Sequence, residues 1–112
     1  MTQQLSSAHI SIARDYSSVP AGRFKEDGPF SGQRFREEML LPALRSATTV
    51  TVDLDGVEGY GSSFLEEAFG GLVRVDGFTD TELRNRLLIQ TNDPAWLQEV
   101  WTYIDRRPSN KA

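Results

Sequence analysis

The fold is decided by residues 50–69, which read VTVDLDGVEGYGSSFLEEAF from Val50 to Phe69. In the first half, apolar side chains alternate with polar ones, a pattern typical of a strand with one buried face. In the second half, apolar residues recur every three or four positions, as they do on the buried side of an amphipathic helix. The stretch therefore predicts a strand, a glycine-rich loop and a helix, in that order.

The loop between these two elements brings two serines to the start of the helix. Ser63 and Glu66 have the spacing of a capping box, so we expect the helix to begin near Ser63, with Ser63 as the more buried cap. We expect Ser62 to lie at or just before the helix and to be accessible. A helix N-terminus favours a phosphate group there, but both serines can equally serve only as caps.

The residues around the serines resemble the signature of the STAS domain, which occurs in sulfate transporters and anti-sigma-factor antagonists. That signature is an apolar strand ending in Asp-Leu, then a Val, then Asp-Ser-Ser-Gly-Leu at the start of a helix. The matching residues here are Asp53-Leu54-Asp55-Gly56-Val57 and Tyr60-Gly61-Ser62-Ser63-Phe64-Leu65. Gly61 replaces the usual Asp and Phe64 the usual Gly. The chain is more similar to bacterial STAS-like domains of unknown function than to an antagonist itself.

This resemblance implies an α/β fold with a four-stranded mixed sheet and helices packed mainly on one face. It also implies an interaction module that is not an enzyme and has no cofactor and no metal. Ser62 falls on the serine that the antagonists use as their phosphorylation site, so the implied partner is a histidine-kinase-like ATPase of the anti-sigma type. The residues implied to accept the phosphate or bind the partner are Asp55, Glu58, Tyr60, Gly61, Ser62 and Ser63.

Carboxylates precede the serines. Asp53, Asp55 and Glu58 are residue types that bind a divalent cation or assist a hydroxyl group. Asp55-Gly56 is also a common turn pair, and no second group of ligands is visible. Turn chemistry is therefore the favoured interpretation.

A second helix start follows the segment 28–32. Ser31 is expected to cap a helix that begins at Gly32. Arg23 and Arg34 lie close to this segment in the sequence. If this helix start lies near Ser62, Arg23, Ser31 and Arg34 form a secondary site for an anion, a phosphate or an acidic partner.

The remaining elements follow from local patterns. Strands are expected over residues 9–13, 23–24 and 87–90. The resemblance to STAS domains implies that the second of these forms a hairpin with the first. In the helix from Gly32, the side chains of Arg34, Arg36, Glu37 and Glu38 are expected to face water. Gly70 and Gly71 are expected to allow close packing against the sheet. Asp93 and Pro94 open a last helix that carries Trp96 and Trp101.

Length and composition fit one domain over residues 1–112, with flexible tails at about 1–7 and 107–112. The net charge of −4 disfavours nucleic acid as a partner, and no apolar run is long enough to cross a membrane. The absence of cysteine fits the cytoplasm. The alternatives left open are a nucleotide-binding protein or enzyme using Asp53, Asp55 and Ser62, and a structural domain that forms a homodimer through the tryptophan helix.

Overall fold

The computed structural model describes residues 6–106 and shows an α/β fold around a small parallel sheet. The strands are β1 (Ser7–Ser11), β2 (Thr49–Asp53) and β3 (Leu87–Gln90), paired in the order β1-β2-β3. Ala8 pairs with Val50, and Val50 pairs with Leu87. Of the predicted flexible tails, residues 1–5 and 107–112 lie outside the described part, whereas Ser7 is the first residue of β1.

Between residues 6 and 106, four helical segments connect and follow the strands. They are α1, residues 32–46 (Gly32–Phe35, Arg36–Leu40, Leu41–Ser46); α2, residues 62–74 (Ser62–Leu65, Glu66–Gly70, Gly71–Arg74); α3, Asp80–Arg86; and α4, Pro94–Asp105. The middle turns of α1 and α2, Arg36–Leu40 and Glu66–Gly70, have π-helical geometry. A single π-turn, Ile12–Tyr16, and a 3₁₀ turn, Lys25–Asp27, lie between β1 and α1.

The expected four-stranded mixed sheet is wrong, because within residues 6–106 the sheet has three strands and all of them are parallel. The expected strand over residues 23–24 does not form. Its backbone instead bonds to the start of α1, where the amides of Gly32 and Gln33 donate to the carbonyl oxygens of Gly22 and Arg23. These amides have no partner inside their own helix, so the contact satisfies donors that a hairpin with β1 leaves free.

The first strand begins and ends two residues before the predicted range of 9–13. The side chain of Ser11 accepts a hydrogen bond from the amide of Arg14 and caps the π-turn that follows. The amide of Ser11 in turn donates to the carboxylate of Asp15 at 2.8 Å. These two side-chain contacts end the strand, because they bend the chain before Ala13.

In the part of the chain that the structure describes, helices cover one face of the sheet. Val50 and Val52 of β2 are fully buried on that face, and Ile10 of β1 packs beside them. On the opposite face, His9 is exposed and Leu88 is 57% exposed. The buried faces predicted from the two apolar periods are confirmed: six apolar residues of the stretch from 50 to 72 are all 0% exposed, namely Val50, Val52, Leu54, Leu65, Phe69 and Leu72.

The last helix begins as predicted. Pro94 is its first residue, and the Asp93 side chain accepts a hydrogen bond from the amide of Ala95 at 2.9 Å. Both tryptophans, Trp96 and Trp101, are partly buried against the core. Among residues 6–106, no helix combines the length and the apolar character that a membrane span requires.

Candidate functional site

The candidate site is the chain between the end of β2 and the start of α2. β2 ends at Asp53, and the loop 54–61 leads to Ser62, the first residue of α2. Within this loop, Leu54 and Val57 are buried, whereas Glu58 and Gly59 are exposed. The loop therefore lies at the carboxyl edge of a parallel sheet, which is where open α/β sheets bind their ligands.

Ser62 and Ser63 are both exposed at the start of α2. Ser62 therefore lies where we expected it. The predicted capping box is wrong, because Gly61 occupies the cap position and no side chain caps the helix there. Glu66 does not reach back to the helix start, since its carboxylate pairs with the guanidinium groups of Arg23 and Arg74. The hydroxyl groups of Ser62 and Ser63 are therefore not used to cap α2, and both side chains are exposed at its start.

The two serines have different neighbours. Ser62 lies beside the hydroxyl of Tyr103, which donates a hydrogen bond to Glu99 at 2.8 Å. Burial and the Glu99 carboxylate raise the pKa of Tyr103. Ser63 lies on the other side, where its Oγ is 3.4 Å from Nη2 of Arg23. Ser62 thus faces a carboxylate-bearing helix, and Ser63 faces a cation.

Tyr60 anchors the loop to the protein. Its hydroxyl donates to the carbonyl oxygen of Leu54 at 2.7 Å, and its ring meets Trp96 edge to face, with centroids 4.8 Å apart. Burial raises the pKa of Tyr60, and the nearby carboxylates of Asp53 and Asp55 raise it further. Because its hydroxyl is hydrogen-bonded and its ring is packed, Tyr60 holds the loop that positions Ser62 and Ser63.

The acidic residues of the loop are used mainly in turns. The Asp55 carboxylate accepts hydrogen bonds from Thr91 Oγ1 at 2.8 Å and from the Asn92 amide at 3.1 Å, and so ties the loop to the one after β3. Asp53 Oδ1 accepts from the Asp55 amide at 2.9 Å. Glu58 is exposed. No group of three or more metal-binding side chains occurs within residues 6–106.

The secondary site around Ser31 is divided by the fold. Ser31 is fully buried and caps α1 by accepting a hydrogen bond from the amide of Arg34 at 3.1 Å. The Arg34 guanidinium pairs with Glu38, and its carbon lies 5.6 Å from the centroid of the Phe30 ring. Arg23 alone of the three reaches α2. The two helix starts nevertheless adjoin, because a Cβ on Gly32 would lie 2.5 Å from the carbonyl oxygen of Phe64.

Sequence patterns missed an ion-pair network beneath these helix starts. Arg36 was expected to face water, but only 2% of its side chain is exposed. It pairs with Glu67 of α2 and, through Nε at 2.9 Å, with Asp76. Gly71 makes room for it, since a Cβ there would overlap the guanidinium. The only hint of this network in the sequence was the pair Gly70 and Gly71 of α2. These glycines allow close packing between helices and not against the sheet.

Together, these features define a small α/β domain that presents an exposed serine pair at a strand–loop–helix junction. Over residues 31–95, more than half of the 112-residue chain, the sequence matches the family described as "STAS-like domain of unknown function (DUF4325)". The chain belongs to this family, and the predicted resemblance is confirmed. No curated protein and no solved structure matches the chain.

Proposed function

We propose that this domain is a non-enzymatic interaction and switch module that acts like an anti-sigma-factor antagonist. Its partner-binding face is the loop 55–61 together with Ser62 and Ser63. The observation that carries the proposal is the exposed serine pair at the uncapped start of α2, on a loop fixed by Tyr60. A junction anchored by a packed tyrosine, with accessible hydroxyl groups, suits a surface that a second protein binds and modifies.

The proposed partner is a histidine-kinase-like ATPase in the cytoplasm, and Ser62 is the proposed acceptor. Its Oγ attacks the γ-phosphorus of ATP, the bond from that phosphorus to the bridging oxygen breaks, and ADP leaves. The hydroxyl proton passes to a base on the partner. The helix dipole favours the new phosphate by about 0.3–1 kcal/mol.

Phosphorylation changes the charge of this face. A phosphoserine carries about −1.5 to −2 charges at neutral pH. On Ser62 it stands near Glu99, which the Tyr103 hydroxyl holds in place. We propose that the added charge releases the partner. It repels an acidic partner surface, and it makes burial against an apolar one unfavourable because the charge would lose its hydration. The unmodified domain is then the form that binds.

The test is incubation with the candidate ATPase and ATP, followed by mass spectrometry. An ATPase captured from the source cell is expected to add one phosphate to the chain on Ser62, and Ser62→Ala abolishes that phosphate. Ser46→Ala is the matched control, because Ser46 is an exposed serine at the far end of α1. Phosphate on another residue, or none from an active ATPase, contradicts the assignment of Ser62.

The alternatives have less support in the site. A nucleotide-binding protein or enzyme that uses Asp53, Asp55 and Ser62 needs free carboxylates. Asp55 is already bonded to Thr91 and Asn92, and Asp53 to the Asp55 amide. A homodimer through α4 cannot use the parts of the two tryptophans that are packed against the core. Of the other apolar side chains of α4, Leu97 is 37% exposed.

A further inference from the structure

A cation from a distant part of the chain contacts the first turns of α2. Arg23 lies in an arm, residues 20–31, that runs before α1. Its Nη1 pairs with Glu66, and Nη2 lies 3.4 Å from Oγ of Ser63. One third of the side chain is exposed, so the guanidinium lies at the surface and not within the core. Arg23 is therefore the positive charge next to one of the two serines.

The arm is fastened at its other side to the start of α1. The amide of Gly32 donates to the carbonyl oxygen of Gly22 at 2.9 Å, and the amide of Gln33 donates to that of Arg23 at 3.0 Å. The backbone of Arg23 thus holds α1 while its side chain holds α2. A shift of the guanidinium is expected to reach the first turn of α1 through these two hydrogen bonds.

The carboxylates next to Arg23 have other partners. Glu66 also pairs with Arg74, and Glu67 pairs with Arg74 at 2.9 Å and with Arg36 at 2.7 Å. Arg23 can therefore turn away without leaving a carboxylate unpaired in a poorly hydrated place, which is the change that makes breaking buried ion pairs unfavourable. The ion-pair network therefore allows the Arg23 guanidinium to leave Glu66 for another anion.

We infer that Arg23 is the residue by which the domain senses phosphate at the start of α2, its guanidinium moving from Glu66 to a phosphate on Ser63. This inference goes beyond the proposed function, which places one phosphate on Ser62, because it concerns a phosphate on the neighbouring Ser63. A phosphate dianion carries more charge than the Glu66 carboxylate and accepts two parallel hydrogen bonds from a guanidinium. Ser62 lies on the side of Tyr103, so a phosphate there does not meet Arg23 directly.

The inference is tested on chains in which phosphoserine is placed at position 63 or 62 during synthesis, without any kinase. The second pKa of the phosphate group is read by phosphorus NMR. With phosphoserine at 63, it is expected to lie about 0.5–1 below the value for the same chain carrying Arg23→Gln, because a nearby cation favours the dianion. With phosphoserine at 62, Arg23→Gln is expected to change it much less.

Arg34→Gln is the matched control, since Arg34 follows the same arm but pairs with Glu38. It is expected to leave the pKa of the phosphate unchanged. A second readout is the amide shifts of Gly32 and Gln33, which phosphate at 63 is expected to move only when Arg23 is present. Equal phosphate pKa values with Arg23 and with Arg23→Gln overturn the inference. Failure of every ATPase to modify the chain overturns the proposed function alone, because these phosphates are not installed by a kinase.

Discussion

Nη1 of Arg36 lies 2.7 Å from the carbonyl oxygen of Glu67 and 2.7 Å from its Oε2, with both side chains almost fully buried. The contact joins the middle of α1 to the middle of α2, at the point where both helices widen to π geometry. Breaking such a pair leaves a charge in a place that water does not reach. The pair therefore fixes how the serine-bearing helix sits on its neighbour.

Arg36→Leu is expected to destabilise the domain by about 3 kcal/mol, near the low end for a broken buried ion pair, because Arg74 still faces Glu67. Urea denaturation measures the change. Arg45→Leu is the control, since Arg45 is an exposed arginine of the same helix and its loss is expected to change stability by less than about 0.5 kcal/mol. The double variant Arg36→Leu, Glu67→Leu is expected to recover part of the loss. Equal stability of the two single arginine variants contradicts the prediction.

Gly32→Ala tests the contact between the two helix starts. The new methyl group would lie 2.5 Å from the Phe64 carbonyl oxygen and 3.2 Å from the Ala68 amide nitrogen, so the helices have to move apart. We expect a loss of about 1–3 kcal/mol, although alanine is otherwise the better helix former. Gly59→Ala has nothing within 4 Å and is expected to be nearly neutral. A stabilising Gly32→Ala, seen in thermal unfolding, is the contradictory outcome.

Leu54→Ala tests the support of the site loop. Leu54 is 0% exposed at the end of β2, so its truncation is expected to cost about 2–5 kcal/mol of folding free energy. Leu88→Ala is the matched control, because Leu88 is 57% exposed on the uncovered face of the sheet. Chemical denaturation compares the two variants. Similar losses in both would falsify the assignment of the buried face.

The ion pairs of Glu66 make stability depend on pH. Burial opposes the ionisation of Glu66, but hydrogen bonds from Arg23 and Arg74 outweigh it and hold the pKa below its usual value. The folded state therefore gains stability above the pKa of the unfolded chain, about 4.3, and loses it as pH falls through the lower folded value. Unfolding curves of the wild-type chain and of Glu66→Gln are expected to converge at acid pH. A stability difference that is the same at every pH contradicts this.

Ser62→Asp tests the proposed switch. A carboxylate introduced at the proposed partner-binding face is expected to weaken binding of the proposed partner by about 1 kcal/mol or more, the scale of an unpaired interface charge. Ser62→Ala is expected to leave binding intact, and both variants are expected to fold because Ser62 is exposed. Calorimetry with the purified partner measures the affinity, with Ser46→Asp as the control for added charge. Unchanged affinity of Ser62→Asp identifies Ser62 as a turn residue.

The sequence by itself determined the elements that local patterns specify. The change of apolar period between Val52 and Leu65 located the junction of β2 and α2, and the Asp93-Pro94 pair located the start of α4. It also placed Ser62 at an exposed helix start. These features depend on neighbours a few positions away, so the pattern of side chains within one turn or one strand is sufficient to predict them.

Only the tertiary structure decided which distant residues meet. Residues 23–24 could pair with β1 or accept hydrogen bonds from the unpaired amides of α1. In the folded chain the segment bonds to the start of α1. Arg36 is buried because Glu67, 31 positions later, supplies its counter-charge. Arg23 reaches Ser63 across 40 positions. A charged residue in a helix pattern is read as exposed, since burying it is unfavourable until the folded chain brings an opposite charge to it.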